Sequence, residues 1–89
     1  MNNIKNQERI LKGAANHWRI KIMMLLKDEP ELSLAEIVER LKINFKTGSE
    51  HVRRLAIAGL VLKRYEGNFV RHKLTVAGET ILKFLRILE

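Results

Sequence analysis

Apolar residues recur along this chain at helical spacing in five stretches, separated by short polar punctuation. Ile10, Leu11, Ala14 and Ala15 mark a first helix over about residues 5–15, and Gly13 with Asn16-His17 leaves its join to the next element open. Trp18, Ile20, Ile22, Met23, Leu25 and Leu26 follow so densely that they predict a second helix buried almost all round, stopped by Asp28-Glu29-Pro30. Ser33-Leu34-Ala35-Glu36 is a capping box and opens a third helix with Leu34, Ile37, Val38 and Leu41 turned inward. After a short turn at Lys42-Ile43-Asn44, Asn44 caps a fourth helix over about residues 44–58, with Val52, Leu55 and Ile57 as its apolar contacts.

Gly59 is then expected as a left-handed helix stop. Residues 60–65 and 69–74 are rich in branched and aromatic side chains, and Glu66-Gly67-Asn68 between them supplies turn chemistry, which predicts a hairpin. Thr75 caps a last helix, in which Ile81, Phe84, Leu85 and Leu88 line one face while Leu82 and Ile87 lie off it. No repeat, low-complexity run or linker interrupts the series, so residues 1–89 read as one mainly helical domain with a small β-hairpin.

Charge changes the picture. Between Lys42 and Lys73 the bases are Lys42, Lys46, Arg53, Arg54, Lys63, Arg64, Arg71 and Lys73, and the acids are Glu50 and Glu66, a surplus of six out of a formal +7 for the chain. The basic surplus is therefore focused on the fourth helix and the hairpin, the footprint expected of a phosphate-binding face. A helix able to enter a DNA groove beside a basic hairpin is the working end of a winged helix-turn-helix. On that reading Lys46, Thr47, Ser49, Glu50, His51, Arg53 and Arg54 contact DNA from the recognition helix, and Lys63, Arg64, Asn68, Arg71 and Lys73 contact it from a wing spanning about residues 61–74.

Several patterns, in order, resemble the ArsR-like branch of winged-helix transcriptional regulators. His17-Trp18-Arg19-Ile20-Lys21-Ile22 is similar to the opening of that family's second helix, and Ser33-Leu34-Ala35-Glu36-Ile37 to the first helix of its turn motif. Ser49-Glu50-His51-Val52-Arg53-Arg54-Leu55 followed by Ala58-Gly59-Leu60-Val61 resembles its recognition helix, and Leu74-Thr75 with Gly78-Glu79 its last-helix opening. The resemblance implies a DNA-binding homodimer joined through its terminal helices. It does not imply metal sensing: Glu31-Leu32 is followed by Ser33, Leu34 and Ala35 where metal-sensing members carry two cysteines, and the last helix has no histidine. Glu50 stands where such helices often carry arginine; a carboxylate there repels phosphate yet can accept from cytosine N4.

Other chemistry finds little footing. The chain has no cysteine, which excludes disulfides, thiolate metal sites and thiol nucleophiles and fits a reducing cytosol; as a DNA-binding regulator it is expected to be cytoplasmic and nucleoid-associated. His17, His51 and His72 fall on three elements without metal-site spacing, so no metal and no cofactor is expected. No phosphate-binding glycine loop or catalytic constellation is present, and an enzyme is not expected. The apolar run Ile22-Met23-Met24-Leu25-Leu26 is too short to cross a bilayer, and no membrane partner is expected.

The expected function is sequence-specific double-stranded DNA binding by a homodimeric prokaryotic transcriptional regulator. Surplus apolar positions at the chain ends, Ile4, Ile10, Leu11, Leu82, Leu85 and Ile87, predict the dimer interface. The first three helices and the last are expected to supply the core. Two alternatives stay open: a winged helix used as a protein-interaction or assembly module, and nucleic-acid binding without sequence preference.

Overall fold

The computed structural model describes residues 3–89. Five helices and one hairpin follow in the order α1 (Ile4–Ala14), α2 (His17–Asp28), α3 (Leu34–Leu41), α4 (Phe45–Ile57), β1 (Val61–Glu66), β2 (Phe69–Leu74) and α5 (Val76–Leu88). This is a winged helix-turn-helix.

Short polar side chains set every helix start. Asn3, Asn16, Ser33, Asn44 and Thr75 each accept from a backbone amide of the following first turn, and Ser33 and Glu36 satisfy each other's amides as a capping box. Asn16 resolves the open join: α1 stops at Ala14 and the Asn16 side chain starts α2. At the far end of α4, the Leu60 amide donates to Leu55 O at 2.9 Å and the Gly59 amide to Ala56 O at 3.1 Å. Those two bonds require a left-handed residue between them, and Gly59 supplies it with φ +79°. Thr75 Oγ1 donates to Gly59 O at 2.6 Å, so the stop of α4 also fixes the start of α5.

The hairpin pairs Val61 with Leu74 at its base and Glu66 with Phe69 at its tip. Gly67 and Asn68 form the two-residue loop, and Gly67 alone of the two has positive φ, the pattern of a type II′ turn. Leu32 bridges His72 on the free edge of β2, adding a one-residue third strand.

The core departs from the expected division of labour. Ile22, Met23 and Leu26 of α2, Leu32, Ile37 of α3, Val52 and Leu55 of α4, Ala58, and Leu60, Val61 and Leu74 at the hairpin base form it, whereas α1 contributes Ala14, with Ile10, expected at the dimer interface, half-buried against the same core. The recognition helix and the wing root are therefore built into the core. Helix α2 is not buried all round: Met24 is 54% exposed, lining an open groove between α2 and α5 with Leu82 and Leu85. Ile57, expected as a core contact, is 56% exposed at the end of α4. In α5 the inward stripe is Ala77, Ile81 and Leu82, with Gly78 fully buried and Leu85 half-buried. Phe84 and Leu88, expected inside, are exposed, and Leu82, expected off the stripe, packs on the core.

Candidate nucleic-acid interface

Helix α3 sits so close to α4 that a Cβ at Gly48 would overlap the Val38 side chain. This approach fixes the phase of α4. Gly48, Val52 and Leu55 face inward, which leaves Lys46, Glu50, Arg53 and Arg54 exposed on the opposite side. Thr47, Ser49 and His51 are half-buried on the flanks. The Thr47 amide donates to Asn44 Oδ1 at 2.8 Å, so the leading turn is held in place by its cap.

His51 turns toward α2 and not to the centre of the exposed face. Arg19 Nη1 lies 3.2 Å from His51 Nδ1. A guanidinium can only donate, so Nδ1 accepts and the ring proton resides on Nε2. Burial, then the neighbouring Arg19 charge, holds the His51 pKa below its ordinary value, while Glu50 opposes this. Arg19 itself is anchored by donating to Gly13 O at 2.7 Å and to Lys12 O at 3.3 Å.

Glu50 accepts from Arg53 Nη2 at 3.2 Å and from Arg54 Nε at 2.9 Å, and these two bonds hold its carboxyl below the usual range. The sequence pattern marked Glu50 as a repulsive charge on a basic helix. In the fold it gathers both arginines.

The hairpin has two faces. Val61, Leu74, Lys63, His72, Tyr65 and Val70 share one, and Leu62, Lys73, Arg64, Arg71, Glu66 and Phe69 the other. Lys63 consequently lies half-buried beside His72, while Arg64, Arg71 and Lys73 share a face. Arg71 Nε donates to Glu66 Oε1 at 2.8 Å and Nη1 to Glu31 O at 3.2 Å. Arg64 is bound to the Glu31 carboxylate, which pushes its pKa up. Asn68 is exposed at the tip, and the nearby rings of Tyr65 and Phe69 are exposed on opposite faces of the hairpin. At the root, His72 is buried, with Nδ1 2.8 Å from Leu32 O, and burial lowers its pKa.

The fold thus brings the leading half of α4 and the outer hairpin face to the surface, and adds residues that the sequence pattern did not mark. Glu31, in the α2–α3 connection and in a left-handed conformation at φ 71°, holds Arg64 and Arg71 of the wing against the body of the domain. Arg19 ties α2 to α4, and Gly48 sets the helix spacing. Each of Arg53, Arg54, Arg64 and Arg71 has a carboxylate partner; among the described residues Lys42, Lys46, Lys63 and Lys73 have none. Also among the described residues, no group of three or more His, Cys, Asp or Glu is placed to hold a metal ion, and no helix is long and apolar enough to cross a membrane.

Residues 17–63 match the family model described as bacterial regulatory protein, arsR family. The chain is similar to HlyU from Vibrio cholerae at 31% identity and a TM-score of 0.83, over 98% of this chain and 95% of that one. It is similar to the homodimeric winged helix-turn-helix DNA-binding domain of Mb0332 from Mycobacterium bovis at 27% identity and a TM-score of 0.79, over 96% and 76%. The transcriptional repressor PagR of Bacillus anthracis shares the fold, with 23% identity and a TM-score of 0.84 over 92% and 94%. No curated protein sequence matches.

Proposed function

This chain belongs to the bacterial ArsR family of regulatory proteins, winged-helix transcriptional regulators and not enzymes, and from that premise we propose that it binds double-stranded DNA sequence-specifically as a homodimer. The observation that carries the reading is the pairing of two basic surfaces on rigid supports. The exposed side of α4 presents Lys46, Glu50, Arg53 and Arg54, and the outer face of the hairpin presents Arg64, Arg71 and Lys73. Both rest directly on the core through Val52, Leu55, Val61 and Leu74.

The leading half of α4 enters a major groove, with Thr47, Ser49, Glu50 and His51 toward base edges and Lys46, Arg53 and Arg54 toward phosphates. Held by Arg19, His51 offers Nε2–H as a donor to guanine O6 or N7, adenine N7 or thymine O4. Lys63, Arg64, Asn68, Arg71 and Lys73 contact the neighbouring backbone or minor groove. Two-fold pairing through α1 and α5 sets the recognition helices about one DNA turn apart, roughly 34 Å, so the operator is an inverted repeat.

Selection of bound sequences from a random duplex pool, followed by a salt titration, tests this. A dimer that neutralises about six to eight phosphates gives a slope of log K against log salt of about −5 to −7. A pool that yields no preferred sequence, or a flat salt response, overturns the reading.

A further inference from the structure

Helix α1 has two separate sides. Ile4 and Leu11, seven residues apart, stand exposed on one, and Lys5, Glu8, Arg9 and Lys12 form a stripe on another. The charged stripe faces the trailing half of α4 across a groove of about 300 Å³, whose lining includes Gly13, Ile57 and Ala58. Arg19 from α2 and Arg54 from α4 complete the walls. Five cationic side chains from three helices thus surround one opening, and Glu8 is the only carboxylate among its lining residues. That carboxylate is already engaged by Lys12 at 3.2 Å, and Arg54 carries its bond to Glu50 at 2.9 Å from outside the groove.

Arg19 is the informative member. It is half-buried, it donates to two carbonyls and to His51, and among the described residues no carboxylate pairs with it. Burial and then the like charge of Arg54 lower its pKa from the ordinary arginine value. An anion in the groove would relieve that repulsion. Three arginines and two lysines suit a group with several acceptor oxygens and more than one negative charge, which is phosphate rather than a single carboxylate.

We propose that this groove is a second phosphate-binding site, which shares Arg54 with the recognition-helix face and otherwise stands apart from it, and which takes a phosphate or polyphosphate group, with the exposed Ile57 offering an apolar contact to whatever carries it. The site lies on α1 and α4 together, so an occupant bridges a terminal helix and the recognition helix. The apolar side of α1 remains clear of it. The group has two available sources, a backbone phosphate of bound DNA and a free polyphosphate, and the test separates them.

The full chain, labelled with ¹⁵N, is titrated with inorganic pyrophosphate at low salt. Amide shifts are expected to concentrate at residues 5–13, 19 and 54–58, with binding at least tenfold weaker in Lys5→Gln/Arg9→Gln, whose altered side chains are exposed. The same variant is then measured against random duplex. A backbone source lowers its duplex affinity and shrinks the log–log salt slope by about two to four per dimer. A free source leaves its duplex affinity within about twofold and keeps the pyrophosphate effect. Shifts spread evenly over Lys42, Lys46, Lys63 and Lys73, together with unchanged duplex binding by the variant, overturn the inference. A chain that binds pyrophosphate here but no duplex at all retains this site and loses the DNA reading instead.

Discussion

Arg19 on α2 donates to Nδ1 of His51 on the recognition helix at 3.2 Å, and the same guanidinium holds the last carbonyls of α1. One side chain therefore joins three helices and selects the tautomer of a residue on the proposed DNA face. Because Arg19 has no acceptor to offer, protonating His51 at Nδ1 breaks the contact. His51 should be neutral with its proton on Nε2 at neutral pH, and its titration midpoint should lie below 6.5. Arg19→Gln should raise that midpoint, since it removes a neighbouring positive charge, and should cost about 1–3 kcal/mol in stability. Imidazole ¹⁵N shifts followed across pH in both proteins check this; a proton found on Nδ1 at neutral pH contradicts it.

Glu50 gives a second expectation. Its carboxylate takes hydrogen bonds from both Arg53 and Arg54 and so stands in for a phosphate while no duplex is present. Binding DNA must exchange those partners. Glu50→Gln removes the competing charge and should tighten random-duplex binding severalfold, with a salt slope steeper by about one to two per dimer. Equal affinity of both proteins for every duplex would place Glu50 off the DNA.

Gly48 is where α3 and α4 meet most closely, and the Val38 side chain occupies the space a Cβ would need. Gly48→Ala has to push the two helices of the turn motif apart, at a cost of about 1–3 kcal/mol despite alanine's better helix propensity. Chemical denaturation measures it. A stabilised variant would mean that α3 and α4 are not in contact at this level.

How much of this was legible in the chain depended on whether the signal was local. Asn44, Ser33, Thr75, Gly59 and Gly67 act within a turn or two, and the elements they bound were readable directly. Which side of a helix meets its own core is not local. Ile81, Phe84, Leu85 and Leu88 have proper helical spacing, yet the row turned to the core is Gly78, Ile81, Leu82 and Leu85, of which Gly78 is buried and the rest half-buried. Gly78 sets that phase: its backbone lies against Leu60 O and Leu74, which no larger residue permits. A glycine read as part of the buried face would have placed Leu82 correctly. Ile57 failed for the same reason: two positions beyond the buried Leu55 it lies on the other side of α4, at the rim of the groove that faces α1. At the interface, the basic face was readable from charge alone. The carboxylates that organise it were not, because Glu31 reaches Arg64 across 33 positions of sequence.

His72 predicts how stability responds to acid. Burial depresses its folded pKa, with the Leu32 carbonyl partly opposing. Between that depressed value and the ordinary 6.5 the unfolded chain binds more protons than the folded one, so stability falls as pH drops through the window. His51 is shifted the same way and adds to the loss. Glu36, Glu50, Glu66 and Glu79 are all lowered from 4.5, so their contribution is lost only at more acidic pH. Denaturant midpoints should therefore fall between pH 7.5 and 5.5, and less so in His72→Gln after allowing for that variant's lower starting stability. A midpoint flat over this range contradicts buried, neutral histidines.

The dimer proposal is sharpened by the exposed residues at the chain ends. Leu82 cannot serve as a probe, because it already packs on the core of its own chain. Phe84 at 49% exposure and Ile87 at 79% stand on the outer side of α5, and Ile4 and Leu11 are exposed on α1. Leu11, Ala14, Ile81, Phe84 and Leu85 also line a shallow apolar groove of about 140 Å³ between the two helices. An apolar side this continuous on a small domain is a surface that a second copy covers. Phe84→Glu/Ile87→Glu should leave helical content and unfolding cooperativity intact, because neither side chain is buried. The variant should sediment as a monomer and bind an inverted repeat at least tenfold more weakly, while a single half-site is bound as before. Sedimentation of the unmodified chain as a monomer at tens of micromolar would remove the two-fold model and the inverted-repeat expectation that follows from it.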